Sequence, residues 1–187
     1  MKTLIVIDMQ NDFITGPLGT PEARAIVPNI KNKIDFYKKM EAQEKQDINI
    51  IFTQDTHSRK YGNEDWLEDW LIEEFNVPSH CIKNTPGWCI IDELFPFADK
   101  TIEKETFGVT NWYPYKMDVG KEGVIDTIQI VGVCTDICVI SNALTLRALF
   151  PNIGIIVDAS CCAGTTPEKH KAALEVMKSC CIEVINE

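Results

Sequence analysis

The chain has 187 residues, enough for about one domain with a substantial core and a surface cleft. Hydrophobic residues make up 45% and charged residues 25%, and 18 basic against 28 acidic side chains give a net charge of −10. That balance argues against nucleic acid or an anionic membrane as partner, since both call for basic patches, and no apolar stretch approaches the roughly 20 residues that span a bilayer.

The chain opens on Met1-Lys2-Thr3-Leu4-Ile5-Val6-Ile7-Asp8. A short apolar run that meets an acid reads as a first strand and not as a signal peptide, so a cytoplasmic protein is expected. Asp8 follows purely apolar residues. A carboxylate there is partly desolvated, which raises its pKa and suits it to take a proton from a thiol; alternatively it caps the loop that follows. Pro21 to about Lys45 carries apolar residues at Ile26, Ile30, Ile34, Tyr37 and Met40, the spacing of an amphipathic helix.

A second strand is expected over Asn49–Asp55, ending in Thr53-Gln54-Asp55-Thr56-His57. A carboxylate and an imidazole two residues apart, with His80 available from a later turn, suit zinc, manganese or iron with positions left open for water or substrate. Residues 58–99 are the least regular part. Within them Glu64–Phe75 places Trp66, Leu67, Trp70, Leu71 and Phe75 at helical spacing, which predicts a short amphipathic helix, a lid or a homo-oligomer contact. Glu64 is a weaker fourth candidate ligand. Its setting suits a solvated face better.

Strands are further expected at Thr101–Lys104, Ile125–Val133, Gly154–Ala159 and Ile182–Ile185, with helices over Thr135–Leu149 and Pro167–Cys181. Several strands are continuous runs of Ile and Val, as in a sheet covered on both faces. The alternation predicts an α/β fold of three αβα layers around a mostly parallel sheet of about six strands, in one domain over residues 1–187. Asp8, Asp55, Lys104 and the Cys134–Cys138 segment then share the carboxyl edge of the sheet, where open α/β sheets bind ligands.

Lys104 at such an edge, near both Asp8 and Cys138, would favour their ionised forms. Thr135 reads as an N-cap, which puts Cys138 in the first turn of a helix, where free N–H groups and the helix dipole favour a thiolate and suit an oxyanion. Of the eight cysteines, Cys161, Cys162, Cys180 and Cys181 read as packing residues, and adjacent pairs favour reduced thiols over disulfides. His170, among Glu168, Lys169 and Lys171, reads as an exposed helix residue.

Together these segments resemble the nicotinamidase/pyrazinamidase branch of the isochorismatase-like cysteine hydrolases. The resemblance rests on Val6-Ile7-Asp8-Met9-Gln10-Asn11-Asp12-Phe13, Thr53-Gln54-Asp55-Thr56-His57, Pro78-Ser79-His80-Cys81, Lys104 before Phe107, and Gly132-Val133-Cys134-Thr135-Asp136-Ile137-Cys138-Val139. It implies a catalytic triad of Asp8, Lys104 and Cys138, and a divalent metal, zinc foremost with manganese or iron as alternatives, on Asp55, His57 and His80. It also implies a cis peptide between Val133 and Cys134, an oxyanion hole from the N–H groups of Cys134 and Cys138, and Phe13 as one wall of the substrate pocket. The implied reaction is hydrolysis of a small-molecule amide, nicotinamide foremost, through a thioester. Another small carboxamide, a ureido compound, or an inactive metal-binding relative are the alternatives. The family's usual aromatic residue before the histidine motif is replaced here by Val77, with Tyr61, Trp66, Trp70 and Trp112 as possible substitutes.

Overall fold

The computed structural model describes residues 2–44, 47–57, 77–115 and 127–187. Among these residues six strands form one parallel sheet: β1 (Lys2–Ile7), β2 (Ile48–Asp55), β3 (Thr101–Lys104), β4 (Thr127–Val133), β5 (Gly154–Ala163) and β6 (Glu183–Ile185). Their spatial order is β3-β2-β1-β4-β5-β6. The helices α1 (Asn11–Ile14), α2 (Pro21–Ala25), α3 (Val27–Glu44), α4 (Ile140–Leu149) and α5 (Pro167–Ser179) connect and cover the strands. The three-layer α/β arrangement expected from the alternating pattern is present, with every strand pairing parallel.

The central strand shows why the sheet is buried on both sides. Leu4, Ile5, Val6 and Ile7 are all fully buried, and successive side chains of a strand point to opposite faces. Leu4 and Val6 join Ile30, Ile34 and Tyr37 of α3 in one apolar cluster. Ile5 and Ile7 join Ala143 and Leu146 of α4 and Leu174 and Met177 of α5 in the other. A continuous apolar strand is what two covered faces require.

The chain order reverses between β1 and β4. From β1 the sheet grows outward through β2 and β3 on one side, and through β4, β5 and β6 on the other. Loops leaving the carboxyl ends of β1 and β4 therefore diverge and leave a crevice between them, the place where open α/β sheets bind ligands. Gly132 lets these two strands close up. Its φ is +119°, and a Cβ there would lie 2.1 Å from the Ile7 carbonyl oxygen, so a side chain is barred by both conformation and space.

Three expectations change. The helix expected over residues 21–45 is two: a proline at 28 would collide with the carbonyl one turn back in a continuous helix, but is accepted in the first turn of a new one. The helix expected from Thr135 begins as a π turn over Thr135–Val139, with Cys134 at its N-cap, before α4. Strand β5 runs to Ala163, past the expected end at Ala159. The amphipathic segment 64–75 lies outside the described residues, and among the described residues no helix is long and apolar enough to cross a membrane.

Candidate active site

Asp8 leaves β1 in the left-handed region, φ 48°, which few non-glycine residues adopt. It is held there by Thr53 of β2, whose hydroxyl donates to Asp8 Oδ1 at 2.6 Å and accepts from the Asp8 N–H at 3.2 Å. Lys104 closes β3 in register with Asp55, and its Nζ lies 2.7 Å from Asp8 Oδ2, 3.1 Å from Asp55 Oδ1 and 3.5 Å from Cys138 Sγ. Asp8, Lys104 and Cys138 are all nearly enclosed, at 0%, 5% and 5% exposure, so the cation sits among two carboxylates and a thiol with little water to screen it. The structure thus gathers these three side chains from positions 34 to 130 residues apart, 104 to 138 and 8 to 138, into one cluster.

The electrostatics follow from that enclosure. Burial pushes the Asp8 carboxyl above its ordinary value, with Lys104 pulling against it. Burial and the Asp8 charge also push the Cys138 thiol well up. Lys104 is held charged: burial opposes its ammonium, but Asp8, Cys138 and Asp55 together outweigh that and raise its pKa. This corrects the sequence expectation of a resting thiolate. Desolvation penalises the charged sulfur more than the helix start favours it, while the neighbouring anions keep the lysine cationic.

Asp55, His57 and His80 come together beside this cluster, with one donor atom from each all within 4.8 Å of one another. Asp55 Oδ2 lies 3.0 Å from His57 Nε2 and 3.4 Å from His80 Nε2. Ligands at roughly 2.1 Å from one zinc stand about 3.0–3.4 Å apart at octahedral to tetrahedral angles, so the set fits a divalent ion. His80 Nδ1 lies 2.8 Å from the Pro78 carbonyl, to which it donates, which leaves Nε2 as the free donor atom. Burial works against the Asp55 carboxylate, but the His57 hydrogen bond, the adjacent His80 imidazole and the Lys104 charge hold its pKa well below the usual carboxylate range. Asp55 therefore has one oxygen on Lys104 and the other on the histidines.

Both clusters open into one cavity of about 640 Å³, within the range of small-molecule sites. Phe13 lines it, with its ring centroid 5.4 Å from that of His80, and so do Ile137, Phe107 and Val133. Phe107, 53% exposed, is an aromatic wall the sequence reading left without a role. Trp112 does not face this cavity; it is fully buried in the core cluster of α4 and α5. Tyr61, Glu64, Trp66 and Trp70 lie outside the described residues.

The turn carrying Cys138 follows a cis peptide between Val133 and Cys134. The N–H groups of Ile137 and Val139, on either side of Cys138, both donate to the Cys134 carbonyl at 3.0 Å, the π-turn geometry often found at functional sites. Thr135 is not the N-cap. It is fully buried, and its hydroxyl is 2.8 Å from His170 Nδ1. His170 is correspondingly half-buried and not the exposed residue expected, and burial lowers its pKa. Asp136 accepts from both the Thr165 N–H at 2.8 Å and its hydroxyl at 2.5 Å. Cys161 and Cys162 are buried as expected of packing residues, whereas Cys181 is exposed.

A nicotinamidase of Saccharomyces cerevisiae is 26% identical over the full length of both chains. A protein of Arabidopsis thaliana described as a probable inactive nicotinamidase is 30% identical, over 94% of this chain and 87% of its own. The structure of a pyrazinamidase of Pyrococcus horikoshii in complex with zinc superposes with a TM-score of 0.70 at 27% identity, covering 100% of this chain and 99% of that one. The isochorismatase domain model matches residues 2–187, and the chain belongs to the isochorismatase family.

Proposed function

We propose that this protein is a cysteine-dependent amidohydrolase acting on nicotinamide, giving nicotinate and ammonia, and that residues 1–187 form one hydrolase domain. The observation that carries the reading is the enclosed cluster in which the Lys104 ammonium lies 2.7 Å from Asp8 Oδ2 and 3.5 Å from Cys138 Sγ, beside a cavity lined by Cys138, Asp55, His57 and His80. The relatives of that name, and the family, support amide bonds as the substrate class.

Asp8 takes the proton of Cys138 as the sulfur attacks the carboxamide carbon, so the charge on sulfur develops only during attack. Lys104 stays cationic throughout and balances whichever partner is anionic. The N–H groups of Cys134 and Cys138 hold the tetrahedral oxyanion. Asp8 then returns the proton to the departing nitrogen, ammonia leaves, and a thioester remains on Cys138. A water molecule gives Asp8 a proton and attacks the thioester, and the sulfur recovers that proton as nicotinate departs. Asp55, His57 and His80 would hold a divalent metal, zinc foremost, which supplies a Lewis-acid anchor for the ring nitrogen or the water. Phe13 and Phe107 give the flat ring apolar walls.

Ammonia release from nicotinamide, pyrazinamide, an aliphatic carboxamide and a ureido compound, before and after chelation, tests this. Nicotinamide is expected to lead the panel, with activity lost on chelation and restored by zinc, manganese or iron. Preference for a ureido compound changes the substrate and keeps the chemistry. No ammonia from any amide by the metal-loaded protein overturns the reading in favour of an inactive metal-binding protein, the alternative that the Arabidopsis relative brings forward.

A further inference from the structure

The segment that follows β1 touches every element that bears a candidate metal ligand. Gln10 is fully buried, and its side-chain amide pairs with the backbone of Asp55 as a neighbouring strand would. Its Oε1 accepts from the Asp55 N–H at 2.7 Å, and its Nε2 donates to the Asp55 carbonyl at 2.8 Å. The second Nε2 hydrogen goes to the Trp88 carbonyl, also at 2.8 Å. Both N–H donors and one acceptor lone pair of this amide are thus spent on two backbone segments, and Gln10 does not line the cavity.

Two residues on, Asp12 Oδ2 accepts from the N–H of Cys81 at 2.8 Å. Cys81 follows His80 directly, and its φ of 49° is a conformation that a non-glycine residue keeps only when its surroundings impose it. The Cys81 carbonyl in turn accepts from the His57 N–H at 3.0 Å, and the His57 carbonyl accepts from the Lys83 N–H at 2.8 Å. One carboxylate therefore fixes the turn after His80, and through it the backbone of His57. Gly87 leaves the room for this: a Cβ there would lie 2.2 Å from both Asp12 carboxylate oxygens. The ring of Phe13 adjoins His80 from the same segment.

We propose that Gln10 and Asp12 are positioning residues for the metal site, Gln10 setting Asp55 and Asp12 setting His80 and His57, with Gly87 a glycine because Asp12 fills its side-chain space. The inference rests on the metal reading above. Neither residue is a ligand; each acts on backbone two or more bonds removed from a donor atom. Hydrogen-bond partners of this kind typically change metal affinity by about 10- to 100-fold when lost.

The test is zinc affinity of the full-length protein by competition with a chromophoric chelator, together with the visible spectrum of the cobalt-substituted protein. Asp12→Ala and Gln10→Ala are expected to bind zinc about 10- to 100-fold more weakly than wild type, with an altered cobalt spectrum. Asp12→Asn keeps an acceptor for the Cys81 N–H and is expected to restore most of the affinity. Gly87→Ala, which leaves every polar group in place, is expected to reproduce Asp12→Ala and keeps the test open if Asp12→Ala does not fold. Zinc bound by Asp12→Ala, Gln10→Ala and Gly87→Ala as tightly as by wild type, with the same cobalt spectrum, overturns the proposal and leaves the metal site standing. An Asp12→Asn protein as weak as Asp12→Ala also overturns it. Wild type that takes up no zinc sinks the metal reading itself.

Discussion

Asp8 and Cys138 compete for one proton in a dry pocket, and the proposed mechanism begins with that proton on sulfur. Asp8 must be ionised to act as base, yet burial raises its carboxyl above the ordinary value of 3.8. The sign follows: activity is present above the raised value and is lost as pH falls through it. The acid limb of kcat/KM is therefore expected to lie higher than a solvated carboxylate gives, and Asp8→Asn is expected to abolish that limb and lower kcat by about 10²- to 10⁴-fold. An acid limb centred at or below 3.8 would contradict the assignment. At this scale the sequence told much about where the candidate groups meet, because Asp8, Lys104 and Cys138 each end a strand or follow one, and strand ends are legible from hydrophobic pattern. It told little about what holds them. Thr53, Gln10 and Asp12 act by bonds between a side chain and a residue 45 or 69 positions away, which no local periodicity records.

Elements were easier to read than their irregularities. All six strands fall where they were expected, give or take a few residues at their ends; the central ones are legible because a strand covered on both faces has nothing polar to confuse the pattern, whereas β3, Thr-Ile-Glu-Lys, alternates exposed and buried. The π turn at Thr135 escaped because its sequence is equally compatible with an α-helical start; in the fold it meets Thr165, in the loop after β5, and His170 of α5. Close approach of β1 and β4 yields one prediction here. Gly132→Ala forces a Cβ against the Ile7 carbonyl in a conformation alanine resists, and a loss of about 3 kcal/mol is expected in urea unfolding. Beyond the site, Asp158 of β5 receives Lys33 at 2.6 Å, the Ser160 hydroxyl at 2.7 Å and the Asn186 amide at 3.1 Å. Burial works against its charge, but these partners prevail and lower its pKa. Its stabilisation is thus present above the ordinary carboxylate pKa and is lost as pH falls below it. Asp158→Asn is expected to cost about 1–3 kcal/mol at neutral pH, with the gap to wild type closing in acid; a gap independent of pH would contradict the ion pair.

For the molecule as a whole, strand order decides where chemistry can occur. The reversal between β1 and β4 opens the crevice, β2 and β3 deliver Asp55 and Lys104 to its side, and α3, α4 and α5 exclude water from beneath it. A metal that binds only the folded donor set must stabilise the fold by mass action. Added zinc is therefore expected to raise the thermal midpoint of chelator-treated wild type, and not that of His80→Ala; an equal rise in both would place the ion elsewhere. Whether the enclosed Cys138 sulfur, beside Asp8 and Lys104, performs the hydrolysis is decided by ammonia release from nicotinamide with zinc-loaded Cys138→Ala. No release above the uncatalysed rate is expected while zinc affinity stays that of wild type; turnover by this variant at an appreciable fraction of the wild-type rate would rule out Cys138 as the nucleophile.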